Sequence, residues 1–418
     1  MKHIHRSTLA VAATLALMSS VSAMADDAAA APAAAPAAAP AAAPAAAAPA
    51  APKGPTLSDI LGNSSIDVKG YVDASYIGHN RTPNANVQVF DIDKNSFALH
   101  QVGITISSTP KEGFGGLLNL TAGRDAGIYC SYGGCSSSST ATTAGSGGNF
   151  DVTQGYIQYA KGTWTVMAGK FVALSGVEVI DPTANTNITH NILTGKVPYT
   201  LTGLRAVNAI SDTTNLTLGI SNGWDQVTDM NSSKTAELGL STSLTKDTTI
   251  AMVVYAGAES MPTPATTPST ATQPSMIPTL NGVSGNRTQE DFILTSNLTP
   301  ALTFIINFDH VSQEKVFGIN GSAQYWDVTA YLNYQINEKY RTSFRIEKFN
   351  DESGAATGVI GANYVNVATA TVGYAPVKNF ELRGEISGSQ AKVGTFAASD
   401  GVLNKTLATV AIEGVYKF

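Results

Sequence analysis

The sequence predicts an all-β chain: a transmembrane antiparallel β-barrel of about 16 strands, preceded by a signal peptide and an Ala/Pro-rich spacer. Three observations predict it. The chain ends on an alternating strand that stops at an aromatic carboxyl terminus, Phe418. Its strand-like runs are joined by connections that alternate strictly between short and long. Its charged fraction is 13%, well under the ~25% of a soluble domain, yet no apolar run after Met18 is long enough for a spanning helix. Low charge without a hydropathy peak suits strands of which only alternate residues meet lipid.

The first element is a secretory signal. Lys2, His3, His5 and Arg6 give a basic start, Leu9 to Met18 an apolar core, and Ala23-Met24-Ala25 a small-residue cleavage site. Residues 1–25 are therefore set apart from the fold. Their loss takes the formal charge from −6 to −8, as Lys2 and Arg6 leave. An acidic chain without a basic face argues against nucleic-acid binding.

Residues 26–63 are a spacer and lead-in. Ala-Ala-Ala-Pro repeats run from Asp26 to about Pro55, and proline at every fourth residue blocks helical hydrogen bonding. The segment reads as a partly extended periplasmic spacer. One reading is a simple tether; a second is contact with peptidoglycan or a periplasmic partner. Thr56 to Asn63 suits a short helix or cap before the barrel.

The barrel occupies 64–418. Its first strand places Ile66, Val68, Gly70, Val72, Ala74 and Tyr76 on one face and Asp67, Lys69, Tyr71, Asp73 and Ser75 on the other. Further runs lie near 96–108, 114–124, 150–160, 163–173, 200–210, 213–222, 235–245, 248–258, 288–298, 302–313, 323–336, 340–350, 360–374, 380–391 and 402–418. Short turns such as Lys161-Gly162 and Lys246-Asp247 alternate with longer segments at 79–95, 125–149, 174–199, 223–234, 259–287, 314–322, 351–359 and 392–401. Outer-membrane barrels have short periplasmic turns and long external loops. In the last strand Val410, Ile412, Tyr416 and Phe418 share the apolar face, and this strand must close against the first to leave no open edge in lipid.

Sixteen strands enclose an aqueous channel. Charged residues must therefore face the lumen, since Arg or Lys at mid-depth in lipid costs ~2–4 kcal/mol. Arg341, Arg345 and Glu347 oppose Tyr340, Phe344 and Ile346; Glu381, Arg383 and Glu385 oppose Phe380, Leu382 and Ile386. The loop from Leu174 to Tyr199 combines polar Glu178, Asp181, Asn187, His190 and Lys196 with apolar Val177, Val179, Ile180, Ile188, Ile192 and Leu193. That mixture suits either a loop folded into the lumen or an external one packed on its neighbours. In the first case Glu178 and Asp181 line the constriction and draw cations, with Lys170 and Arg205 as opposing charges. The 259–287 loop, rich in Thr, Pro and Ser, offers little to pack.

Cys130 and Cys135 flank a turn-prone spacer and read as a local disulfide in an oxidising compartment. The rival reading is a metal pair, but zinc needs about four ligands and no histidine is near in sequence. The histidines beyond the signal, His79, His100, His190 and His310, show no spacing of a metal site or nucleophile elbow. The sequence therefore points to no enzyme, no cofactor and no metal.

Several segments together resemble one family. They are Gly70-Tyr71-Val72-Asp73-Ala74-Ser75-Tyr76, Asn95-Ser96-Phe97 with Gln101, Gly123-Arg124-Asp125-Ala126, and Phe150-Asp151-Val152-Thr153-Gln154 before Tyr156. Ala168-Gly169-Lys170-Phe171, Glu178-Val179-Ile180, Pro198-Tyr199-Thr200 with Gly203 and Arg205, and Asn222-Gly223-Trp224-Asp225 follow. In this order they look like the OmpL-like beta-barrel porin family of bacterial outer membranes, over roughly residues 66–390. The resemblance implies an outer-membrane porin-like channel for passive diffusion of small hydrophilic solutes or ions. The alternative is a structural or surface barrel with a plugged lumen, acting through its tether or loops. Expected partners are outer-membrane lipid and lipopolysaccharide, the barrel-assembly machinery that reads a terminal Phe such as Phe418, and further copies of the chain. The spacer and the cysteine loop stand outside the family pattern.

Overall fold

A computed structural model describes residues 65–134, 149–259, 284–316, 319, 321–359 and 361–418. The signal peptide, the spacer and lead-in, Cys135 and most of the 259–287 loop lie outside the described residues.

The strands are β1 (Asp67–His79), β2 (Ser96–Ser108), β3 (Gly113–Ala122), β4 (Phe150–Lys161), β5 (Trp164–Val172), β6 (Thr200–Ser211), β7 (Thr214–Trp224), β8 (Thr235–Ser243) and β9 (Thr248–Glu259). They continue as β10 (Gly285–Thr299), β11 (Leu302–Glu314), β12 (Ser322–Gln335), β13 (Tyr340–Asp351), β14 (Asn363–Val377), β15 (Phe380–Ala391), β16 (Phe396–Ala397), β17 (Leu403–Asn404) and β18 (Thr406–Lys417). All but β16 and β17 form one closed barrel, sixteen strands paired in sequence order, with β1 hydrogen-bonded to β18.

Most strand ends shift by one to three residues from the sequence expectation, and one changes the pairing. The final run, expected from 402, splits in two. β15 ends at Ala391, whose N–H makes the last bond to this segment, to Lys405 O at 2.7 Å, so residues before Lys405 have no wall strand to pair with. Leu403–Asn404 pairs instead with Phe396–Ala397 as a small hairpin beyond the barrel strands.

The pleat sorts side chains as the alternation requires. In β18, Val410, Ile412 and Tyr416 are exposed on the outer face, while Leu407, Ala411, Glu413 and Val415 are buried inward. Across the barrel, apolar side chains such as Phe97 (84% exposed) and Phe114 (80%) stand outside. In water that would be costly; in lipid it is the required surface. Phe418 completes the seam. Its N–H and C=O each bond Gly70 at 2.9 Å, and its ring covers Gly70 so closely that a Cβ there would lie 2.3 Å from it.

The interior is filled at the loop-bearing end. Val87, Ile192, Trp224, Val311, Tyr325, Phe349, Val365 and Phe396 belong to one buried apolar cluster. Val89, Phe90, Ile128, Tyr129 and Tyr199 form a second. Both clusters contain residues of the first and third long connections. Both connections therefore turn inward.

Candidate permeation site

The connection between β5 and β6 enters the lumen. Irregular backbone at membrane depth is tolerated only where protein or a wet cavity satisfies its polar groups. Here the wall of β10 to β15 does so. The N–H groups of Gly176 and Val177 donate to Asp291 (3.3 Å) and Asn307 (3.2 Å). Those of Ile188 and Thr189 donate to Glu385 at 2.7 and 2.9 Å, and that of Ile192 to Glu347 at 2.6 Å. Arginines hold the carbonyls: Arg341 donates to Thr186 O (2.7 Å), Arg383 to Pro182 O (3.1 Å), and Arg345 to Thr189 O.

Glu178 is the loop's own contribution to this clamp. It accepts from Arg345 Nη1 at 2.6 Å, from Tyr331 OH at 3.0 Å and from the Asn191 N–H at 2.8 Å. Burial opposes its ionisation, but Arg345, His190 and the Asn191 N–H hold its carboxyl below the usual carboxylate range. Asp181, three residues on, stays exposed; one of its oxygens accepts the Thr183 N–H at 2.9 Å.

These positions revise the charge pattern expected from sequence. Arg341, Arg345, Glu347 and Arg383 face the lumen, as alternation requires, but they grip the loop; Arg345 is 1% exposed. Glu178 and Asp181 do not act as a pair, because Arg345 neutralises the first. Lys170 and Arg205 do not oppose them. Lys170 pairs with Asp151 at 3.1 Å, and Arg205 makes a two-pronged pair with Glu237 at 2.7 and 2.6 Å while lying over the Phe171 ring. A charge withdrawn from water needs a counter-charge within reach, and Lys170 found one on the adjacent β4, Arg205 one on β8, across Gly219 of β7.

The side of the lumen facing β1 to β5 is less filled. A cavity of about 230 Å³ lies between that wall and the loop. Tyr71, Asn119, Gln154, Asp181, His190 and Tyr199 are among its lining residues. Tyr71 is posed by Gly103, where a Cβ would lie 2.3 Å from the ring, and by its hydroxyl bond to Gln101 at 2.9 Å. A second cavity, of about 260 Å³, lies beside the loop segment 183–186, between Arg341, Arg383 and the rim lysines Lys378 and Lys417.

Sequence reasoning missed three features. The first connection also folds inward. Its Asp91 accepts the His190 N–H at 3.2 Å, and burial lifts its carboxyl to about 6 against the pull of His190 and His100. The apolar Val87, Val89 and Phe90 were the available signal, of the kind that marked the 174–199 loop. Second, Asp291, Asp309 and Asp327 face one another in register across β10, β11 and β12, which shows only once strands are aligned. Third, Ser75, His100 and Asp125 form a chain, with Ser75 Oγ 2.8 Å from His100 Nε2 and Asp125 Oδ1 3.1 Å from His100 Nδ1. All three are buried, and the cavity touching His100 measures about 10 Å³, room for a water rather than a substrate. A nucleophile needs space for the reacting atom beside it. Cys130 is buried; its expected partner Cys135 is outside the described residues.

The family described as "Putative beta-barrel porin-2, OmpL-like" matches residues 65–418, the whole barrel. The chain belongs to this family. No curated protein matches its sequence. Among solved structures this porin is similar to a loop L8 deletion mutant of OmpT from Vibrio cholerae, with a TM-score of 0.56 at 9% identity, covering 84% of this chain and 99% of that one. The outer-membrane channel DcaP of Acinetobacter baumannii matches with a TM-score of 0.55 at 14% identity, over 84% and 97% of the two chains. An anion-selective porin from Comamonas acidovorans matches at 0.53 and 10%, over 84% and 99%. At such identities the likeness is one of fold. With the family it makes this chain a porin-like channel of the outer membrane.

Proposed function

We propose that this porin passes small hydrophilic solutes by passive diffusion between its inward loop and the wall of β1 to β5, and that it acts as a channel rather than an enzyme. The observation that carries the reading is the one-sided clamp. The loop's backbone is bonded to β10 through β15, while its other side borders the cavity of about 230 Å³. Asn119, Gln154, Thr105 and Thr153 offer that cavity hydrogen-bonding groups, and Asp181 supplies the exposed carboxylate near the narrowing. Planar-bilayer recording of the folded protein tests it. Step conductance with a reversal potential set by a salt gradient is expected; silence from heat-modifiable protein refutes it.

The apolar cluster at the loop-bearing end favours a second reading, a barrel whose lumen is shut by its first and third connections. The same recording separates the two. Homo-oligomerisation belongs to the proposal as well: OmpT of Vibrio cholerae, matched at a TM-score of 0.53 and 10% identity, is described in a trimer form. Light scattering on the detergent-solubilised protein gives the subunit number. Cleavage after Ala25 and a Cys130–Cys135 disulfide complete it, and intact mass before and after reduction reads both. Recognition of Phe418 by the assembly machinery is measured by deleting that residue and following insertion.

A further inference from the structure

The charges just described point inward. Lys348 does not. It lies on β13, where Arg345, Glu347 and Phe349 are buried toward the lumen and Phe344, Ile346 and Lys348 are exposed on the outer side. The strand ends only three residues further on, at Asp351, on the side of the long loops. Its ammonium sits 5.7 Å from the centre of the Trp326 ring and 6.0 Å from that of Tyr364. Across the next strand it faces Asn366.

A second lysine shares this patch. Lys392 directly follows β15 and continues the outward alternation of Ile386 and Gln390. It is exposed, and its backbone N–H donates to Tyr364 O at 2.9 Å. The two lysines therefore lie on either side of β14, flanking Tyr364 and Asn366, with their backbones about 10 Å apart across the sheet and two residues offset along it. Among the described residues, no carboxylate forms an ion pair with either lysine. Toward the membrane interior the same outer face continues as Ile346 (63% exposed), Phe344, Val372 and Ile386.

A cation at the edge of an apolar band faces the headgroups of the adjoining leaflet, where an anionic lipid is its natural counter-charge. Rings beside it suit the boundary between headgroup and acyl chains. Outside the long loops that leaflet is the outer one. We propose that Lys348 and Lys392, with Trp326, Tyr364, Asn366 and Gln390, bind the phosphorylated headgroup of an outer-leaflet glycolipid, the lipid A of lipopolysaccharide. Each lysine meets one phosphate of a bis-phosphorylated sugar. The amides of Asn366 and Gln390 donate to its oxygens, and its acyl chains lie over Phe344 and Ile346. This site is independent of whether the lumen conducts.

The test uses the full barrel, folded in detergent and titrated with purified bis-phosphorylated lipid A, its monophosphoryl form, and phosphatidylglycerol. Bound lipid is counted by native mass spectrometry. Wild type is expected to bind the bis-phosphorylated form most tightly. The double variant K348A/K392A should lose roughly thirtyfold, the yield of two lysine contacts at an anionic surface. K417A, at the opposite rim, should bind as wild type does. Heat-modifiable mobility confirms that each variant is folded, and K348R with K392R should restore binding if the double alanine variant folds poorly. Equal affinity of K348A/K392A and wild type overturns the proposal. So does wild-type binding of phosphatidylglycerol as tight as that of lipid A, since two generic cations would then suffice.

Discussion

Replacing Arg345 with methionine should release the inward loop. The side chain donates to Glu178 Oε1 at 2.6 Å, to the Thr189 carbonyl, to Thr189 Oγ1 at 3.2 Å and to Thr369 Oγ1 at 3.3 Å. Methionine fills much of the volume but leaves Glu178 buried without its counter-charge. Breaking a buried pair from one side costs about 3–5 kcal/mol. At 1.4 kcal/mol per tenfold, the docked state then loses a factor of roughly 100 to 4,000. The bonds from Glu385 and Glu347 still hold part of the loop, so partial undocking near 178–191 is the expected outcome. Single-channel recording should show a larger mean conductance and more open-channel noise than wild type. Adding Glu178→Gln removes the stranded charge, and the double variant should recover most of the wild-type trace, since deleting both partners is far milder than deleting one. The resulting cycle gives the coupling directly. Arg345→Met with conductance and noise equal to wild type would show that this pair does not hold the loop.

Three further outcomes follow from the geometry. Ile412→Arg should cut folding yield in lipid vesicles far more than Lys417→Ala, because Ile412 is on the outer face, where Arg costs ~2–4 kcal/mol at mid-depth, while Lys417 borders the cavity at the rim; equal yields would mean the faces are exchanged. Asp181→Asn should shift the low-salt reversal potential toward anions, while Glu178→Gln, whose charge Arg345 already cancels, should shift it less; a larger shift from Glu178→Gln would place the narrowing elsewhere. Asp91, raised from 3.8 to about 6 by burial with His190, His100 and Glu385 around it, favours its neutral form in the fold. Its stabilising effect is complete below about pH 4 and is lost as pH rises through about 6, an amount of about 3 kcal/mol. Urea unfolding in micelles should therefore show Asp91→Asn gaining on wild type between pH 4 and pH 7, and parallel pH profiles would contradict the assignment.

The barrel wall was legible along the chain because lipid imposes period two. Val410, Ile412 and Tyr416 must stand on one side and Glu413 on the other, whatever the rest of the molecule does. Turn chemistry marked the strand ends, and the parity of strands and the short-long alternation of connections required closure of β18 on β1. The same periodicity told which charges face inward. It did not tell whom they meet. The Arg345–Glu178 pair joins residues 167 positions apart, and Lys170 chose Asp151 over the loop because β4 lies beside β5. Ser75 reached His100, and Asp291 met Asp309 and Asp327, only through register. Lys348 gained its meaning from Lys392 two strands away, a neighbour that only register supplies. What the sequence by itself determined is thus the wall, since every residue of a strand meets the same two solvents, lipid and lumen, in turn. What only the tertiary structure decided is the filling of the lumen, because the inward loop's long-range partners are set by strand register and by the demand that each buried charge and backbone group find a mate.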